Sequence, residues 1–222
     1  MMRRIGTPEV FEELEPLGVV LKYSFFEDAK ERRHHDLQAI DAHLFNADQP
    51  AACLPDRTQW HLDSHGVSAL LQISPRPLNN DQFLGSYCDP KDRMLILRGS
   101  GKVAGGTTLR DPRYDVIGER KIQSWGQSPP DLHDAGEYAY AFAQPPNGLR
   151  GTRAEAVRLF RKATELLLPD WEDAVIHDWS GDDLSKVDRY FDSGMEWWGA
   201  FLFTIFQPSI GRLIVISGSA TD

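Results

Sequence analysis

Two apolar runs late in the chain constrain its fold more than any other feature. Residues 196–206 and 212–218 are strand-length and rich in β-branched and aromatic side chains, and a Pro- and Gly-containing link at 207–211 joins them. Such a pair reads as an antiparallel hairpin. Apolar residues of the first run fall on both alternating sets, with Trp197, Phe201, Phe203 and Ile205 on one and Trp198, Leu202 and Phe206 on the other. A strand that is apolar on both faces belongs at the centre of its sheet, covered twice.

The rest of the chain supplies elements to cover it. Thr7-Pro8-Glu9 fits a helix start, with that helix ending near residues 16–18. Residues 19–26 read as a strand, and 27–45 as an amphipathic helix with Leu37, Ile40 and Leu44 inward. Residues 67–74 read as a strand stopped by Pro75 and Pro77, 76–90 as a long loop, and 94–98 as a strand. Aromatic residues alternate with alanine over 137–143, the pattern of a strand with one large and one small face. The firmest helix starts at Thr152-Arg-Ala-Glu155, a capping box, and continues through Ala156, Val157, Phe160, Ala163 and Leu167 to the stop at Pro169. A weaker box at 180–183 opens a short helix with Leu184, Val187 and Phe191 inward. The expectation is an α+β fold: a mixed, mainly antiparallel sheet with helices packed on it and the C-terminal β-hairpin in the core. A single domain over 1–222 is the simplest organisation, with 144–148 (Gln-Pro-Pro-Asn-Gly) as the candidate subdomain boundary.

Charge narrows the partners. The 222 residues carry a formal net charge of −9, which disfavours direct binding to nucleic acid or to anionic membrane. No run approaches the ~20 apolar residues that span a bilayer, and no apolar segment of a secretory signal follows Met1 to Gly6. The two cysteines, Cys53 and Cys88, form no CxxC pair, which fits a reducing, cytoplasmic setting.

Few residue patterns carry chemistry. Gly99-Ser-Gly-Lys102 lacks both the first glycine and the hydroxyl of a phosphate loop, since Ile96 and Val103 occupy those positions. His34, His35, Asp36, Asp41 and His43 lack the i, i+4 histidine pair that a helix uses to grip a metal, so they read as a solvated face. His61, Asp63 and His65 would share one face of an extended backbone, which makes a small metal-assisted hydrolase the alternative to a binding role. No activated nucleophile and no cofactor is expected, and the chain does not read as an enzyme.

The segment before the hairpin differs in kind. Residues 163–198 hold ten acids against Lys186 and Arg189, a net of −8, nearly the charge of the whole chain. Trp171, Trp179, Tyr190, Trp197 and Trp198 lie among them. Acids steer a basic partner to the surface, and large aromatics anchor it there. The candidate partner-binding residues are Trp171, Asp173, Asp178, Trp179, Asp182, Asp183, Asp188, Tyr190, Asp192 and Glu196.

The run Tyr190-Phe191-Asp192-x-Gly194-x-Glu196-Trp-Trp-Gly199, continuing through Thr204 to Ser217-Gly-Ser-Ala-Thr-Asp222, resembles the ends of bacterial polymorphic-toxin immunity proteins. The resemblance implies an acidic, cytoplasmic α+β protein that neutralises a cognate toxin, often a basic nuclease, by tight binding. It assigns no catalytic residue.

Overall fold

The computed structural model describes residues 2–47, 61–89, 92–97, 115–117, 120–122, 136–181, 183–196 and 198–220. In chain order the elements are β1 (Arg3–Ile5), α1 (Glu9–Glu12), β2 (Lys22–Glu27), α2 (Arg33–Ala47), α3 (Ser64–Gln72), β3 (Arg76–Leu78), α4 (Asn80–Leu84), β4 (Cys88–Asp89) and β5 (Met94–Leu97). They continue with β6 (Asp115–Ile117), β7 (Arg120–Ile122), α5 (Tyr138–Ala143), α6 (Arg153–Leu167), β8 (Val175–Asp178), α7 (Leu184–Val187), β9 (Ala200–Gln207) and β10 (Arg212–Ser219). Single 3-10 turns occupy Arg189–Phe191, Gly194–Glu196 and Pro208–Ile210. The fold is α+β, with helices packed on an antiparallel sheet of six strands. By its internal contacts the chain divides into two compact units. One comprises Met1–Thr7, Leu21–Leu78 and Asp170–Thr221, and the other Pro8–Val20 and Asn79–Pro169. The 144–148 breaker lies within the second.

The first unit holds the six-stranded sheet, in the order β1-β2-β10-β9-β8-β3. The expected hairpin is its centre. β9 and β10 pair antiparallel from Arg212 opposite Gln207 to Ser219 opposite Ala200, and nearly every residue of both strands is buried. Register fixes the two faces. Val215 lies opposite both Ser24 and Thr204, so Ser24, Phe26, Leu202, Thr204, Phe206, Leu213, Val215 and Ser217 share one side. On this side Leu37, Ile40 and Leu44 of α2, Leu70 of α3 and Leu184 and Val187 of α7 complete the core, together with Trp179 and Phe191. Phe25, Phe203, Ile205, Ile214 and Ile216, on the other side, are fully buried as well. Each such side chain contributes about 1.5–3 kcal/mol by leaving water. Trp198 precedes the strand instead of belonging to it: it lies after the 3-10 turn at Gly194–Glu196 and before β9 begins at Ala200, and, 0% exposed, it meets Phe201 edge-on. Trp197 lies outside the described residues.

The second unit carries the strands β4-β5-β6-β7, all antiparallel, and helices α1, α4, α5 and α6. Thr152 and Glu155 close the expected capping box on α6, whose inward row Ala156, Val157, Phe160, Ala163 and Leu167 is buried. Phe83, Tyr138, Phe142 and Phe160 form an aromatic cluster, with Phe83 stacked on Tyr138 at 4.8 Å and Phe142 edge-on to Phe160 at 5.1 Å. Glu137, buried at a left-handed φ of 59°, accepts hydrogen bonds from the Ser86 backbone N–H and hydroxyl.

Three expectations are corrected. Residues 138–143 are helical: Tyr138 and Phe142 sit one turn apart against Phe160, and burial on every side erases the amphipathic signal that distinguishes helix from strand. The stretch 67–74 is not a strand. It lies mostly in α3, which Asp63 opens by accepting from Gly66 N at 2.8 Å. The loop at 76–90 instead contains β3, β4 and α4, whose Asn79 and Gln82 form a capping box. The box at 180–183 is also only partly realised. A short helix does follow with Leu184 and Val187 buried, but Asp183 makes no side-chain cap, and Ser180 Oγ accepts from Leu202 N instead.

Candidate functional site

From Asp170 onward the acidic segment threads through the first unit as β8, α7 and two 3-10 turns, while Glu165 belongs to α6 of the second unit and pairs with Arg161 at 2.9 Å; the structure divides the acids by use. Asp178 and Trp179 belong to the interior, which corrects their expected place on a binding surface. Asp178 is 5% exposed and paired with Arg76 at 3.0 Å across the β3–β8 ladder. Trp179 is 1% exposed, and its indole N–H donates to Thr204 Oγ1 at 3.0 Å. Alternation along β8 sends Asp178 to one side of the sheet and His177 and Trp179 to the other.

Asp188 is half-buried and caps the turn at Arg189–Phe191 by accepting from Tyr190 N at 2.7 Å. Asp183 is exposed and holds Lys186 at 2.5 Å, which raises the lysine pKa chiefly through that hydrogen bond. Tyr190 is half-buried, with its hydroxyl accepting from Ser217 Oγ at 3.3 Å and the Lys22 ammonium 5.1 Å from its ring centre. Four exposed acids remain, Asp170, Glu172, Asp173 and Asp192, with no ion pair among the described residues. Trp171, half-buried, stands among the first three. The four-residue strand β8 separates this group from Asp183 and Asp192, and its three steps of ~3.3 Å put roughly 10 Å between its ends. Asp182 and the side chain of Glu196 lie outside the described residues.

The alternative constellation does not assemble. His61 donates its backbone N–H to the Asp41 carboxylate at 2.8 Å, and Leu62 N does the same at 2.8 Å. Asp63 serves as the α3 cap and His65 lies exposed in the first turn, so the extended backbone that would align the three is absent. Among the described residues no group of three His, Cys, Asp or Glu side chains is placed to hold a metal. The polar residues of α2 are not the solvated face expected either, since Asp36, Asp41 and His43 are buried and each has its own partners. His35 Nδ1 accepts from Lys30 N, Asp41 holds the residues before α3, and His43 is enclosed between Ser24 and Ser217 at 2.8 and 2.7 Å. Burial drives the His43 pKa down to about 3, so the imidazole is neutral. Burial pushes the Cys88 thiol up to about 12, which keeps it protonated and unreactive. The 99–102 loop lies outside the described residues.

One feature escapes the sequence. Glu31, Arg32, Arg33 and Asp36 at the start of α2, Ser74 and Pro75 before β3, and Val175, His177 and Phe206 line a cleft of about 340 Å³. His177 Nδ1 lies 3.4 Å from the Asp36 carboxylate at its base. The two residues are 141 positions apart, and only the β8–β9 register, which sets His177 opposite Thr204, brings the imidazole to the α2 side. Arg33 is committed to the wall, donating to the carbonyls of Leu71 at 3.0 Å and Ile73 at 2.7 Å with its guanidinium 5.8 Å from the Trp179 ring centre.

Comparison with protein-family models, curated proteins and solved structures returned no match. Among the described residues no helix is long and apolar enough to cross a membrane.

Proposed function

We propose that this chain is a protein-binding module, an immunity protein that neutralises a cognate bacterial toxin through an acidic, aromatic-bearing surface. One observation carries the reading: exposed Asp170, Glu172 and Asp173 surround half-buried Trp171 immediately before β8, and these acids have no ion pair among the described residues. Acids spent on structure, such as Asp178 and Asp188, contribute little to a partner, whereas exposed acids with no ion pair among the described residues, in the turn before β8, attract a basic surface. An aromatic side chain next to these acids in sequence, Trp171, supplies the anchor that such interfaces concentrate their energy on. Asp183, Asp192 and Tyr190, beyond the far end of β8, form a second, weaker arm of the same surface. The role requires no cofactor and no catalysis, and a cytoplasmic location in the producing cell follows from it.

The test is capture from the native host with the wild-type chain and with Asp170→Lys/Glu172→Lys/Asp173→Lys, followed by co-expression of the captured protein. The reading expects a basic partner whose toxicity the wild type suppresses, with an association rate at least tenfold slower in the triple variant and falling with added salt. Capture that is indifferent to salt and to the reversals would remove this surface from the mechanism.

A further inference from the structure

We propose that the cleft over Asp36 receives an arginine side chain of the protein partner, a deepening that rests on the binding role proposed above. Asp36 is the observation that points to a ligand. Its side chain is 8% exposed, it lines the cleft, and among the described residues no donor is nearer its carboxylate than His177 Nδ1 at 3.4 Å. A charge-assisted N–H···O bond is ordinarily ~2.7–2.9 Å, and an ionised carboxylate has room for about four such donors. The Asp36 carboxylate therefore keeps acceptor capacity open toward the cleft, which a cationic donor entering it would fill.

The surroundings select the cation. Arg33 cannot supply it, because its guanidinium is tied to two main-chain carbonyls and lies over Trp179. Arg32 and Glu31, both exposed, line the cleft with opposite charges. Pro75, Val175 and Phe206 give apolar wall for the methylene stem of a long side chain. A planar guanidinium meets a carboxylate with two parallel N–H bonds, which a single ammonium does not.

The probe is N-acetyl-arginine N-methylamide, titrated into the full ¹⁵N-labelled chain and read from backbone amide shifts, with the lysine and glutamine analogues and inorganic phosphate as comparators. The arginine probe should give saturable shifts at residues 33–36, 74 and 177, bind at least tenfold more weakly to Asp36→Asn, and bind Glu12→Gln, a change at an exposed position of α1, as it binds wild type. Because Asp36→Asn also touches the core, Arg32→Ala at the exposed rim is the second variant, and should tighten the probe severalfold. No saturable shift, equal binding by the glutamine analogue, tighter binding of phosphate, or a probe weakened by Arg32→Ala would each overturn the proposal. The measurement needs no partner, so the two readings fail separately. A silent cleft with charge-sensitive capture leaves the binding surface standing, and an arginine-binding cleft without a toxic partner removes the function alone.

Discussion

Trp179 donates its indole N–H to Thr204 Oγ1 at 3.0 Å, inside the core between β9 and the helices α2 and α7. Both residues are 1% exposed, so neither group has water to fall back on. Thr204→Val keeps the shape but leaves a buried N–H unpaired, and should cost about 1–3 kcal/mol. Urea unfolding midpoints of the variant and the wild type measure it.

His43 predicts an acid limit to stability. Its folded pKa of about 3 is below the ordinary 6.5 that the unfolded chain regains. The unfolded state therefore binds more protons between those values. The contribution is fully present above about pH 6.5 and is lost as pH falls toward 3, at up to ~1.4 kcal/mol per pH unit. Unfolding free energies at pH 7, 5.5 and 4.5 should fall along that slope, and His43→Gln should flatten it. A slope unchanged in the variant would assign the acid sensitivity to other groups.

Asp41 ties the residues before α3 to α2 by accepting the backbone N–H groups of His61 and Leu62. Asp41→Ala leaves both N–H groups without their acceptor, at an expected cost of about 2 kcal/mol. Amide exchange at 61 and 62 should quicken before that of the β9–β10 pair.

Gly66 marks where α3 meets α7. A Cβ there would stand 2.4 Å from the Val187 carbonyl oxygen, which is backbone and cannot turn aside. Gly66→Ala should destabilise by about 1–3 kcal/mol through overpacking. Gly6→Ala, with nothing within 4 Å of its Cβ, is the control and should leave the melting temperature unchanged.

What could be read in advance was what local chemistry decides. The hairpin declared itself by apolar residues on both faces, and α6 by its cap and its row of inward residues. Tyr138–Ala143 could not be read, because alternation of Tyr and Ala is a strand pattern unless a neighbour such as Phe160 buries every side. Acid content also did not separate Asp178, spent on Arg76, from Asp173, which faces solvent: strand register decides that, and register is a property of the sheet. The Asp36–His177 cleft joins residues with no local relation at all.

The strand order carries a consequence for how the molecule is made. β2 lies between β1 and β10, and the partner it meets at Arg212–Ser219 begins some 185 residues after Glu27. On the ribosome, Phe25 and Phe26 emerge long before β10 exists, so one edge of an apolar strand waits for most of translation. Pairing at such separation closes slowly and leaves the nascent chain sticky in the interval. A chain stalled short of residue 200 would have every helix of the first unit and no centre for them to pack on, which makes it a natural client for chaperones.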